Sequence, residues 1–176
     1  HLLKHIGKVE LVDQDINRSP ANDMIIQAVY LMEQKRKILK STGLRSISPE
    51  LLKQMHREAI RLLDSAIEER PSAYAYYLRG NYKNYKIQPS STFPSGYTSE
   101  DATLDYEKAI ELDPTLAAAY VQIARLDQHT DEPNIRKKVI DYYQQAIDLD
   151  PYLESAYYGY AHFKAVDFES YKSTRD

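Results

Sequence analysis

Three copies of one helix ending constrain this chain more than any other feature. They are Ala66-Ile67-Glu68-Glu69-Arg70-Pro71, Ala109-Ile110-Glu111-Leu112-Asp113-Pro114 and Ala146-Ile147-Asp148-Leu149-Asp150-Pro151. The agreement extends upstream. Ala59, Leu63 and Ala66 have the spacings of Ala102, Tyr106 and Ala109, and of Val139, Tyr143 and Ala146. Steps of four and three place each trio on one face of a helix. The proline that follows ends the helix, because it has no N–H and disfavours helical geometry in the residue before it. A second pattern follows each proline: Tyr76 with Gly80, Tyr120 with Ala124, Tyr157 with Ala161. An aromatic four residues before a small residue lets a neighbouring helix approach the small one and cover the ring.

On these residues the chain resembles the tetratricopeptide repeat (TPR) family over about residues 58–168. The resemblance implies an all-α fold, a right-handed superhelix of antiparallel helix pairs (an α-solenoid) with about seven helices. In that scheme helix A carries the aromatic–small pair, and helix B the small–bulky–small trio before its proline. The proline spacings here exceed the family's repeat of about 34 residues. A single domain over 1–176 is expected. It comprises an N-terminal segment 1–21, a non-standard first pair 22–71, a repeat 72–114 with an insertion at 87–100, a repeat 115–151 and a terminal A-type helix 152–168.

Local signals place the helices. Asn17 to Pro20 reads as a turn, with Asn22 or Asp23 capping a helix 22–40. Gly43 suits that helix's end, and the Lys35-Arg36-Lys37 and Lys40 cluster suits its dipole. Ser48-Pro49 opens a helix to about Arg70. A tyrosine-rich helix covers 72–86. The stretch Gln88 to Gly96 cannot continue it, and a helix restarts at Thr98 or Ser99 with acids in its first turn. Further helices cover 116–127, 135–149 and 151 to about 166 or 168, and residues 169–176 read as a frayed polar end. Within 1–20, Leu2, Leu3, Ile6, Val9, Leu11 and Val12 form either a short amphipathic helix or, from Val9 to Val12, an extended piece. His1 and His5 have the spacing of a helical metal pair but no third ligand nearby, so no metal is expected. The chain opens at His1 without a signal-like apolar core and reads as an excised or processed piece.

Composition narrows the function classes. Net charge is −3, so no field over the chain draws nucleic acid. No run approaches the roughly 20 apolar residues of a membrane helix. There is no cysteine, which excludes disulfides and thiolate zinc sites and fits a reducing compartment, so a cytoplasmic location is expected. Phosphate-loop, dinucleotide, His-Glu-x-x-His and Gly-x-Ser-x-Gly patterns are all missing. Neither catalysis nor a cofactor is expected.

What remains is binding. The resemblance implies that residues two before and one, five and eight after each helix-A aromatic line a concave groove. These are Tyr74, Tyr77, Asn81 and Asn84, then Ala118, Val121, Arg125 and Gln128, then Ser155, Tyr158, His162 and Ala165. The expected function is a non-catalytic module holding a peptide segment or partner protein there. The alternative is a self-assembling scaffold, a homo-oligomer stacking through an unpaired terminal helix. Gly80-Asn81 matches the start of the motif by which one TPR subfamily clamps chaperone C-termini. Tyr77, Gln122, Gly159 and Phe163 stand where that clamp needs other residues, so the clamp is not expected.

Overall fold

The structure is a computed structural model that describes residues 19–42, 48–84, 96–128 and 132–173, with residues 41, 42, 49 and 166–173 described by their backbone. Seven α-helices and no strand occur among these residues: α1 (Pro20–Thr42), α2 (Pro49–Glu69), α3 (Ala73–Lys83), α4 (Ser99–Leu112), α5 (Ala117–Asp127), α6 (Pro133–Leu149) and α7 (Glu154–Ser173). The fold is all-α and built from paired helices. The expectations for 1–18, for Gly43 and for the body of the insertion lie outside the described residues.

The three sequence copies become three matching helix ends. Arg70, Asp113 and Asp150 each leave the helix in extended geometry. Their N–H groups donate to the carbonyls of Ala66, Ala109 and Ala146, all at 2.9 Å. The following proline offers no N–H to extend the ladder. Those three alanines are completely buried. Without a side chain beyond Cβ, they let a facing helix approach closely. At the second and third copies the aspartate then turns the chain: Asp113 Oδ1 accepts from the Thr115 N–H at 2.9 Å, and Asp150 Oδ1 from the Tyr152 N–H at 3.0 Å. Arg70 cannot accept in this way. There Ser72 takes over and caps α3 by accepting from the Ala75 N–H at 3.2 Å.

Other boundaries move for local reasons. Helix α1 starts at Pro20, earlier than its expected cap, because Ser19 accepts from the Asn22 N–H on both its side chain and its carbonyl. Proline then occupies the first helical position, where no N–H is needed. The tyrosine-rich helix is shorter than expected and closes at Asn84, whose N–H returns to the Gly80 carbonyl. Helix α6 begins at Pro133. Helix α7 begins at Glu154, with Pro151 in the turn before it, and runs to Ser173. It extends beyond the expected end because no glycine or proline follows Gly159. Helix α4 opens with a reciprocal capping box: Asp101 N–H donates to Thr98 Oγ1 at 3.2 Å, and Thr98 N–H donates to Asp101 Oδ2 at 2.8 Å.

The described chain forms two compact units. In the first, α1 packs along α2. Ala28 and Leu31 of α1, and Met55, Ala59 and Leu63 of α2, are buried. Arg70 donates to Asn22 Oδ1 at 2.8 Å, joining the end of α2 to the start of α1. Lys35 is buried beside His56, with Nζ 3.3 Å from Nδ1. Burial lowers the Lys35 amine to about 8.

In the second unit α3 pairs with α4 and α5 with α6, α4 adjoins α5, and α7 packs on α6 and α5. Tyr106 and Tyr143, the bulky residues of the two trios, are fully buried. Tyr106 shares a cluster with Ala102 and Ile123, while Tyr143 sits with Val121, Val139, Ala146, Ala156 and Phe163. A Cβ added at Gly80 would lie 2.6 Å from Tyr106 Cε1, and one at Gly159 2.5 Å from Tyr143 Cε1. Each ring lies directly on helix backbone that only glycine leaves bare.

Candidate binding face of the A helices

Helix α3 carries Tyr74, Tyr77, Asn81 and Asn84 at steps of three and four, which puts them on one stripe. Tyr74 is 52% exposed and stacks on Tyr77, with centroids 6.5 Å apart and planes at 27°. Tyr77 is half-buried because its ring also meets Tyr106, at 6.1 Å. The Tyr106 hydroxyl donates to Asn81 Oδ1 at 3.0 Å, and the Asn84 side chain reaches the same hydroxyl. Burial, then the neighbouring Tyr77 phenol, pushes the Tyr106 phenol above its usual range, so it remains a donor at neutral pH.

Helix α5 repeats the arrangement. The Tyr143 hydroxyl lies 3.5 Å from Gln128 Oε1, at the outer limit of a hydrogen bond, and Arg125 reaches the same phenol. Burial raises the Tyr143 phenol, while Arg125 acts in the opposite sense. Val121 corrects the expectation of a fully exposed groove. It is completely enclosed with Tyr120, Val139, Ala156 and Phe163. Its short side chain ends beneath α7, which packs on α5, so it offers a partner no surface.

On α7, Tyr158 is 70% exposed and stacks on His162, with centroids 6.3 Å apart and planes at 25°. The repeat aromatic itself behaves differently here. Tyr120 is 4% exposed and meets Tyr142 of α6 at 6.1 Å. Its counterpart Tyr157 is 47% exposed, and among the described residues no helix follows α7 to cover it.

The sequence-marked residues thus fall into three groups, each on its own A helix: Tyr74, Tyr77, Asn81 and Asn84; Arg125 and Gln128; Tyr158 and His162. The holding residues Tyr106 and Tyr143 escape a groove-based reading, since their spacing marks them only as core. Asp105 escapes it as well. It is buried on α4, takes Arg79 at 2.6 Å and Lys83 at 2.9 Å, and so gathers two cations of α3. Arg79 also lies over the Tyr76 ring, 5.2 Å from its centroid. Among the described residues no group of three or more acidic or histidine side chains could hold a metal ion. No described helix is long and apolar enough to cross a membrane.

No protein-family profile matches the chain, and no curated protein matches it in sequence. Among solved structures, that of the MamA protein is similar over 89% of this chain and 88% of its own, at 18% identity and a TM-score of 0.46.

Proposed function

We propose that this chain is a non-catalytic interaction module of the tetratricopeptide type, a single array of repeats that holds a peptide segment or partner protein on its A-helix faces. The supporting observation is the treatment of those faces by the B helices. Tyr106 fixes Asn81 and Asn84, and Tyr143 fixes Arg125 and Gln128. Polar groups held in place from behind lose little entropy on binding. Beside them Tyr74 and Tyr158 present large, exposed rings with few rotatable bonds.

The test is selection of peptides from a displayed random library on the immobilised chain, followed by the double change Tyr74→Ala with Tyr158→Ala. Both side chains are exposed, so helical content and thermal midpoint should hold while the selected peptides lose binding. Tyr77 is a poorer target because its ring supports Tyr106. Retained binding in the double variant would remove the A faces as the site. Exposed Tyr157 on α7 favours a second reading, self-assembly through that helix. Sedimentation that stays monomeric across concentration would remove it.

A further inference from the structure

We infer that the A faces take an acidic peptide segment, which seats an aspartate or glutamate side chain on Arg125 of α5. This rests on the A-face reading above and names its ligand class. The argument is complementarity of charge.

Arg125 differs from other arginines of the described chain in what it holds. Arg36, Arg57, Arg61 and Arg79 each bind a carboxylate. Arg70 donates to the Asn22 amide oxygen. Arg125 is partly buried, and the group it reaches is the Tyr143 phenol. No carboxylate among the described residues pairs with it. Burial raises the Tyr143 phenol, so at neutral pH it is uncharged. It gives the guanidinium an acceptor but no countercharge. A guanidinium has five N–H donors in a rigid fork and stays charged. A positive charge and most of its donors are therefore left on the α5 stripe.

The rest of the stripes narrows the occupant. None of their positions on α3, α5 and α7 holds an aspartate or glutamate, and none but Arg125 holds an arginine or lysine. The cations of α3 are already engaged, since Arg79 and Lys83 both bind Asp105. A basic segment would meet like charge on Arg125. A neutral one would cover the guanidinium without neutralising it. A carboxylate accepts two parallel N–H bonds from the fork, and such charge-assisted bonds are the stronger kind. One guanidinium also matches one negative charge. A phosphoryl group carries nearly twice that and is typically held by clustered arginines.

The neighbouring helix adds contact area. Helix α7 packs on α5 and carries Tyr158 and His162 at the repeat positions of Val121 and Arg125. The Tyr158 ring is 70% exposed and can receive an apolar residue flanking the acid. The residues with which a chaperone clamp would hold a terminal carboxylate are missing at Tyr77, Gln122, Gly159 and Phe163, so the seat on Arg125 serves a side chain within a segment. Net charge of the chain is −3, which gives an acidic segment no general attraction. Any preference for it must then vanish with Arg125.

The experiment is fluorescence polarisation of the full chain with labelled, C-terminally amidated Glu-Ser, Gln-Ser and Lys-Ser decapeptides. Glu-Ser should bind about tenfold tighter than either of the others. In Arg125→Gln, Glu-Ser and Gln-Ser should bind alike with the thermal midpoint unchanged, because the new amide still donates to the Tyr143 phenol. Arg125→Lys keeps the charge and loses the fork, so it should retain the preference at reduced size. Equal binding of Glu-Ser and Gln-Ser, a preference for Lys-Ser, a Glu-Ser preference that survives Arg125→Gln, or Arg125→Lys behaving like Arg125→Gln overturns the inference. So does a phosphoserine peptide that outbinds Glu-Ser, or a Gln-Ser peptide with a free C-terminal carboxylate that matches it. A library-selected peptide that lacks acids and depends on Tyr74 and Tyr158 but not on Arg125 also overturns it, while leaving the wider A-face reading standing.

Discussion

The Tyr106 hydroxyl donates to Asn81 Oδ1 across 3.0 Å, from one helix of a pair to the other. A residue whose spacing marks it as core therefore also orients an amide on the proposed binding face. Tyr106→Phe keeps the ring against Gly80 and removes only this bond. It should cost about 1 kcal/mol in denaturant unfolding and weaken peptide binding by freeing the Asn81 side chain. Unchanged affinity would show that the amide needs no such support.

Gly80 and Gly159 each lie under a buried ring with no room for a methyl group. Gly80→Ala and Gly159→Ala should each destabilise by roughly 1–3 kcal/mol through overpacking, although alanine is the better helix former. A gain in stability from either change would mean that the rings can move aside.

Asp105 pairs with two cations at once. Asp105→Ala should cost about 3 kcal/mol, since it leaves Arg79 and Lys83 facing each other in a partly buried site. Urea titration of the variant measures this. A loss no larger than that of an exposed pair such as Arg61 with Glu58 would contradict it.

The pH profile of stability should rise and then fall on the alkaline side. Lys35 is lowered from 10.5 to about 8 in the folded chain. Between those values the unfolded chain holds a proton that the folded one has released, so stability increases with pH. The phenols of Tyr106, Tyr120, Tyr142 and Tyr143 are raised from 10.0, in each case chiefly by burial. Above about 10 the unfolded chain loses those protons first, and stability falls. Thermal midpoints across this range check both limbs. Lys35→Met should remove the rising limb and leave the falling one.

Local chemistry made much of the fold legible in sequence. The alanine–proline endings, Pro49 and the acids after Thr98 act within a turn of themselves, and their helices stand where those signals put them, apart from shifts at the ends, although the expected Ser48 hydroxyl cap makes no side-chain bond. The candidate face was less legible, because exposure depends on what packs above a residue. Val121 shares its repeat position with Tyr77 and Tyr158, yet α7 encloses it. Asp105, the Lys35–His56 pair and the tyrosine hydroxyls act between helices, and no short-range pattern announces such partners. Gly159 did carry a usable signal, since a lone glycine inside a helix marks close approach by a neighbour.

The most direct test follows the side-chain amide signals of Asn81 and Asn84 while a peptide selected from a random library is added. The account predicts that these signals and those of the Tyr74 ring shift together and saturate together, while signals from the outer face of α4 stay in place. Shifts confined to other helices, or none at concentrations where the peptide binds, would contradict it.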